Sequence, residues 1–574
     1  MSSNLSRLPP YQERDFVPEG ADLTDAKTVA GLYGQLEQRP VEDAEALEQW
    51  LLDRSELDAA LSQAGSVLYI RMTCHTDDKD IAGAYTQFIQ TVPPAVKPIN
   101  DRLNRRYVEL RKTIRLDPKR YEVHDRAIRT DIELFVQENV DLQTKVELLA
   151  QEYQRVCGAM TVQFEGQERT LPEMGKFLLE NDSDLRERAW RATSERRLKD
   201  KDKLEEIFEK LFALRNEIAR NAGFKTFTEY QFKAYHRFDY TPQDCKRYHE
   251  TVEQLIVPLN ARILERRKKE MKLKTLRPWD GAVDPLGRAP LKPFNEVQEL
   301  VSGTQRIFNR LDGELAKEFK QMNDFGLLDL ASRKGKAPGG YQNTLNEARK
   351  PFIFMNAVGV DDDVRTLLHE SGHAFHAIAC SKDPLVDYRH GPMEFCEVAS
   401  MAMELLGGTY INEFYDGPAT KRSNREHLEG IIHILAWVAN IDAFQHWLYE
   451  HPGHSAQERR QAWLGFYEHF GGQFVDWTGL EEAKAYLWHR QLHIFEVPFY
   501  YIEYGIAQLG ALQVWMNASK DPRKALMDYR RGLALGGSRP LPELYETAGI
   551  KFDFSAGIIK PLVEAVTQEW EKLL

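Results

Sequence analysis

Two histidines, His369 and His373, stand four residues apart in the stretch LLHESGHAFHA, and Glu370 directly follows the first. On a helix that spacing is one turn, so both imidazoles project from one face. Both can then reach a single ion at about 2.0–2.1 Å, the Zn–N distance. Glu370 falls roughly 100° around the helix, placed to touch a water on the ion without being a ligand. Such a set suits hydrolysis. The metal lowers the pKa of its water toward about 7, and the adjacent carboxylate takes the proton as the water attacks a carbonyl.

A catalytic zinc needs a third protein ligand. A histidine six residues beyond His373 is excluded, because position 379 is alanine. Downstream, EFCEVASMAMELL offers Glu394, Glu397 and Glu404. The last two are seven residues apart and share a helical face, so one could bind the ion while the other braces a ligand imidazole. His376 suits packing or a place behind the ligands. A third stretch, HIFEVPFYYIEYGIAQLGA, carries His493, Tyr500, Tyr501 and Tyr504. With a helix starting after Pro498, Tyr500 and Tyr504 stack on one face and Tyr501 is offset. Phenols or the imidazole aimed at the metal would donate hydrogen bonds to an oxyanion.

These residues must be held by helices. GVDDDVRTLLHESGHAFHAIAC begins with three aspartates suited to an N-terminus and continues with apolar residues at helical spacing. Upstream, VEDAEALEQWLLDRSELDAALSQAG reads as a helix that stops at Gly65. IAGAYTQFIQTV and VKPINDRLNRRYVELRKTI read as two further helices joined by a proline-containing turn. QFEGQERTLPEM suggests a hairpin turning at Gly166, and Asp182 or Ser183 caps the helix that follows. Thr275–Phe294, rich in Pro and Gly, is a loop. PFIFMNAV reads as a short buried or edge strand. GKAPGGY before it lacks phosphate-loop spacing. A lobe boundary is expected near residue 190, dividing an N-terminal helical lobe (1–190) from a catalytic region (191–574).

With 574 residues the chain exceeds what one core supports, and 42% hydrophobic content is ordinary for a globular protein. A net charge of -12, with only the short basic run ERRKKEMKLK, argues against nucleic acid as a partner. Five scattered cysteines without a CxxC pair suit a reducing compartment. Without an apolar leader or a run of about 18 apolar residues, the expectation is a cytoplasmic protein with no membrane partner. The pattern fixes no oligomeric state.

HESGHAFH, then FCEVASMAMELL, then PFYYIEY, in this order and spacing, resemble the thimet oligopeptidase and oligoendopeptidase F family of zinc peptidases. DLRERAW, RNEIARNAGFKTFTEYQF, RKGKAPGGYQ and LALGGSRPLPELYETAGI are similar as well, so the resemblance covers about residues 160–560. It implies a mainly α-helical, two-lobed shell around a deep substrate channel, with a small β-sheet beside the HExxH helix. It implies one Zn²⁺ held by His369, His373 and Glu397, with Glu370 as general base and Glu404 behind the ligands. His493 and Tyr504, with Tyr500 or Tyr501 beside them, would face the oxyanion. FIFMN, through Phe352, Phe354 and Asn356, would pair with substrate backbone by strand addition. The implied activity is internal cleavage of short unstructured peptides. A zinc carboxypeptidase with a similar shell, or a peptide-binding scaffold with a structural zinc, are the alternatives.

Overall fold

The computed structural model describes residue 5 and residues 8–574, apart from 334 and 338. It is mainly helical. The strands are a hairpin, β1 (Thr161–Phe164) with β2 (Gln167–Thr170), and a sheet of β3 (Leu328–Ala331), β4 (Tyr341–Leu345) and β5 (Lys350–Ala357) in the order β3-β5-β4. The chain divides into two units, each assembled from three separated stretches. One comprises Met1–Val140, Pro293–Thr420 and Gly510–Phe552, and the other Asp141–Lys292, Lys421–Leu509 and Asp553–Leu574. The boundary expected at residue 190 corresponds to no division between them: it falls within the helix Ser183–Lys199 of the second unit.

In the first unit the helices Ala26–Gln38, Ala44–Cys74 and Lys79–Thr113 bury Leu36, Trp50 and Tyr107 in one core. Gly65 does not end a helix as expected. It lies inside Ala44–Cys74, where an added Cβ would stand 3.0 Å from the Phe88 ring. The glycine serves close approach of the next helix. That next helix is also continuous, with Pro93, Pro94 and Pro98 inside it. Its buried stripe of Phe88, Val92, Val96 and Leu103 runs through the prolines, so packing outweighs the lost backbone bonds.

The three-stranded sheet packs on the helix Asp361–Ala379. β5 is its central strand, parallel to β3 and antiparallel to β4, and β4 is an edge. Lys336, from the glycine-rich stretch, donates to the Asp329 side chain (3.0 Å) and to the Ala331 carbonyl (3.0 Å). Its ammonium group is committed to holding the sheet.

In the second unit the hairpin turns as expected, with Glu165 and Gly166 both at positive φ. Asp182 caps the next helix through the Asp184 and Leu185 amides. Trp190 packs against Trp279 and Trp477 in a satellite core. Among the described residues, no helix is long and apolar enough to cross a membrane.

Candidate metal centre

The HExxH helix spans Asp361–Ala379, and the helix Met393–Gly408 lies against it. Asp363 fixes its start by accepting from the Val358, Gly359 and Val360 amides at 2.7–2.9 Å. Glycines set the helix separation. A Cβ on Gly372 would stand 2.5 Å from the Ala399 carbonyl oxygen, and one on Gly407 would stand 2.8 Å from Leu368. The two helices therefore touch backbone to backbone beside the histidines.

Across this contact the ligand atoms of His369, His373 and Glu397 come within 4.8 Å of one another. Glu397 Oε2 lies 3.4 Å from His369 Nε2 and 3.5 Å from His373 Nε2. Glu404 approaches His369 Nδ1 at 2.6 Å, which orients the ring and leaves Nε2 for the shared point. Ser400 Oγ donates to Glu397 Oε2 at 3.1 Å and steadies the carboxylate. Burial alone would raise the Glu397 carboxyl, but His373 and His369 outweigh it and hold it well below the usual range. Two imidazole nitrogens and a carboxylate on one point, one ring oriented from behind, form a donor set that fits Zn²⁺.

Glu394, the competing carboxylate, is buried but stands apart from this group, its charge felt by Tyr545. Glu370 is also buried, and burial pushes its carboxyl upward. A Cβ placed on Gly340 would lie 3.7 Å from Glu370 Oε1, so the lead-in to β4 runs beside this carboxylate.

His376 takes the packing position among the alternatives the sequence allows. It is a buried core residue, edge-on to Phe395 at 5.8 Å, and burial pushes its imidazole down to about 3. One expectation needs correction: Phe352, Phe354 and Asn356 do not offer an open strand. β5 is paired on both edges at Ile353 and Phe354, and both phenyl rings are buried. Asn356 instead donates to the Ala337 and Gly339 carbonyls at 2.8 and 2.9 Å. Among the described residues β3 and β4 are both edge strands, and on β4 Tyr341 stacks on Phe354 at 4.8 Å.

The tyrosine group lies in the second unit. The helix there begins at Ile502 rather than at Pro498. Phe499 stands at φ 67 between them, an unfavourable conformation for a bulky residue. Its amide donates to Gln445 Oε1 at 2.8 Å and its carbonyl accepts from Arg237 at 2.6 Å. Tyr501 is buried, which pushes its phenol up to about 12, whereas His493, Tyr500 and Tyr504 are half-buried. His493 Nε2 lies 3.4 Å from the Tyr504 hydroxyl.

Sequence reasoning passed over two residues here. Trp437 Nε1, which can only donate, gives its hydrogen to Gln491 Oε1 at 3.0 Å. The amide nitrogen of Gln491 then donates to His493 Nδ1 at 2.8 Å, so His493 carries its proton on Nε2, the side facing Tyr504. No sequence spacing links Trp437 to Gln491. Ser400 had a signal, three residues after Glu397.

The chain belongs to peptidase family M3, whose family model matches residues 177–564. Chromosomal oligoendopeptidase F of Lactococcus lactis subsp. cremoris is 29% identical over 161 residues, 28% of this chain and 26% of that protein. Oligopeptidase PepF of Bacillus subtilis is 23% identical over 297 residues, 51% of this chain and 44% of that protein. The matched stretches thus span less than half the length of these curated relatives. Solved structures agree over more of the chain. PZ peptidase A, solved with an inhibitor, superposes with a TM-score of 0.90 at 26% identity, covering 97% of this chain and 99% of that one. An oligoendopeptidase F from Enterococcus faecium reaches 0.65 at 15% identity over 96% of each chain, a likeness of fold alone.

Proposed function

We propose that this protein is a zinc-dependent oligoendopeptidase that hydrolyses internal bonds of short, unstructured peptides. The observation that carries the reading is the convergence of His369, His373 and Glu397, with Glu370 beside the start of an edge strand. Zinc, when bound, supplies Lewis acidity that acidifies a water and polarises the scissile carbonyl. β4, an edge strand whose lead-in runs beside Glu370, aligns an extended peptide by strand addition. Glu370 takes the proton of the attacking water and delivers it to the departing amine nitrogen. For His493 and Tyr504 the reading assigns hydrogen bonds to the oxyanion, supported by the Nε2 proton of His493 and by their partial exposure. Tyr500 accompanies them, and buried Tyr501 supports the group by packing.

A peptide blocked at both termini separates this reading from a carboxypeptidase. Internal cleavage is expected, abolished by a chelator and restored by zinc. A requirement for a free C-terminus would favour the carboxypeptidase. Absence of hydrolysis by the zinc-loaded protein on any unstructured peptide would favour a binding scaffold.

A further inference from the structure

The second unit contains a buried group with a different set of donors. Cys245 and His249 lie one turn apart on the helix Pro242–Thr251, and Asp442 and His446 one turn apart on Gly417–Glu450. Each i, i+4 pair shares one helical face. All four residues are buried, Asp442 completely. The ligand atoms of Cys245, Asp442 and His446 lie within 4.8 Å of one another. His249 stands outside that set and holds its carboxylate, its Nε2 2.8 Å from Asp442 Oδ2, and His446 Nε2 approaches the same oxygen to 3.4 Å.

Hydrogen bonding leaves this group incomplete. Asp442 Oδ2 is engaged by His249, but among the described residues Asp442 Oδ1 and both nitrogens of His446 have no hydrogen-bond partner. The surroundings offer rings instead. Phe232 and Phe499 lie 6.1 and 5.1 Å from His446, and Phe470 lies 6.4 Å from His249. Unpaired polar atoms in so apolar a setting call for a partner that satisfies several at once.

We propose that Cys245, Asp442 and His446 form a second transition-metal site suited to Zn²⁺, with His249 orienting the carboxylate from behind. A thiolate, an imidazole and a carboxylate form a Zn²⁺ donor set that, unlike the one at His369, includes sulfur. Donor atoms of such a site stand roughly 3.3–3.8 Å apart, so closure requires side-chain shifts of about 1 Å. The position gives the site a task. His446 packs on Phe499, and the neighbouring Gln445 accepts the Phe499 amide. Metal at His446 therefore braces the strained turn that leads into Tyr500. The helix carrying Cys245 and His249 also passes directly into a π-helical turn, Val252–Ile256, a feature common where helices are adapted to a site.

The test uses the full chain, stripped of metal and titrated with Co²⁺, because only a cysteine ligand gives a thiolate-to-cobalt charge-transfer band in the near ultraviolet. Wild type is expected to take up two equivalents, with that band accompanying one of them. His369→Ala/His373→Ala is expected to keep one equivalent and the band. Cys245→Ser is expected to keep one equivalent and lose the band. Wild type saturating at one equivalent without the band would overturn the proposal. So would a folded His369→Ala/His373→Ala protein, checked by circular dichroism, that binds no cobalt, or a band that survives Cys245→Ser. If the double variant does not fold, the wild-type stoichiometry and the Cys245→Ser spectrum decide.

Discussion

Gly372→Ala tests whether the backbone contact between the two helices that carry the candidate ligands sets the ligand geometry. The new methyl would stand 2.5 Å from the Ala399 oxygen and 2.6 Å from Ser400 Cα, where ordinary contact needs roughly 3.4–3.8 Å. The helices must therefore part by about 1 Å or bend. Overpacking of this kind costs about 1–3 kcal/mol. With an unfolding entropy of about 2.1 cal/mol/K per residue over the first unit, that becomes a fall in Tm of roughly 2–5 °C. The damage reaches the site, because Ala399 also accepts from Tyr529 at 2.7 Å and Ser400 steadies Glu397. Disturbing a ligand's support typically lowers metal affinity about 10–100-fold. Differential scanning calorimetry and zinc competition with a chromophoric chelator read the two effects. Gly430→Ala, where a Cβ meets nothing within 4 Å, is the control and is expected to be neutral or slightly stabilising. If Gly372→Ala matched wild type in both Tm and zinc affinity, the close contact would not be what positions Glu397.

Other expectations are more local. Glu397→Ala should lose zinc far more readily than Glu394→Ala in a chelator challenge, because Glu397 joins the two imidazoles and Glu394 does not. Glu404→Gln should weaken zinc about 10–100-fold by loosening His369, as judged by the same competition assay. Tyr504→Phe should lower kcat about 10²–10³-fold with little change in KM, whereas Tyr501→Phe, altering a buried phenol, should change kcat far less. His376→Leu should reduce acid lability. The folded imidazole titrates near about 3 and the unfolded one near about 6.5, so wild type loses about 1.4 kcal/mol per pH unit as pH falls between them. A stability difference between variant and wild type that stays constant from pH 7 to 4 would contradict a neutral buried His376.

Local spacing made the convergence of the candidate ligands legible. His369 and His373 one turn apart, and Glu397 and Glu404 two turns apart, are facts of helical periodicity that the fold preserves. Non-local packing was not legible in the same way. Gly65 looks like a stop signal until the Phe88 ring is seen against it, and the prolines near residue 93 look like a turn until the buried stripe beneath them is seen. PFIFMNAV carries the composition of a strand, but nothing in it says which neighbours take its edges. That depended on β3 and β4 arriving on either side. Tyr501 differs from Tyr500 only by one position, and the irregular backbone at Phe499 decided which phenol is buried. The interleaved units have no sequence marker, because each is closed by segments hundreds of residues apart.

The most direct test of the account compares wild type with Glu370→Gln, both loaded with zinc, on an internally quenched peptide blocked at both ends. Equal zinc content, internal cleavage by wild type and a loss of at least about 10²-fold in the variant are expected. Wild-type turnover by zinc-loaded Glu370→Gln would contradict it.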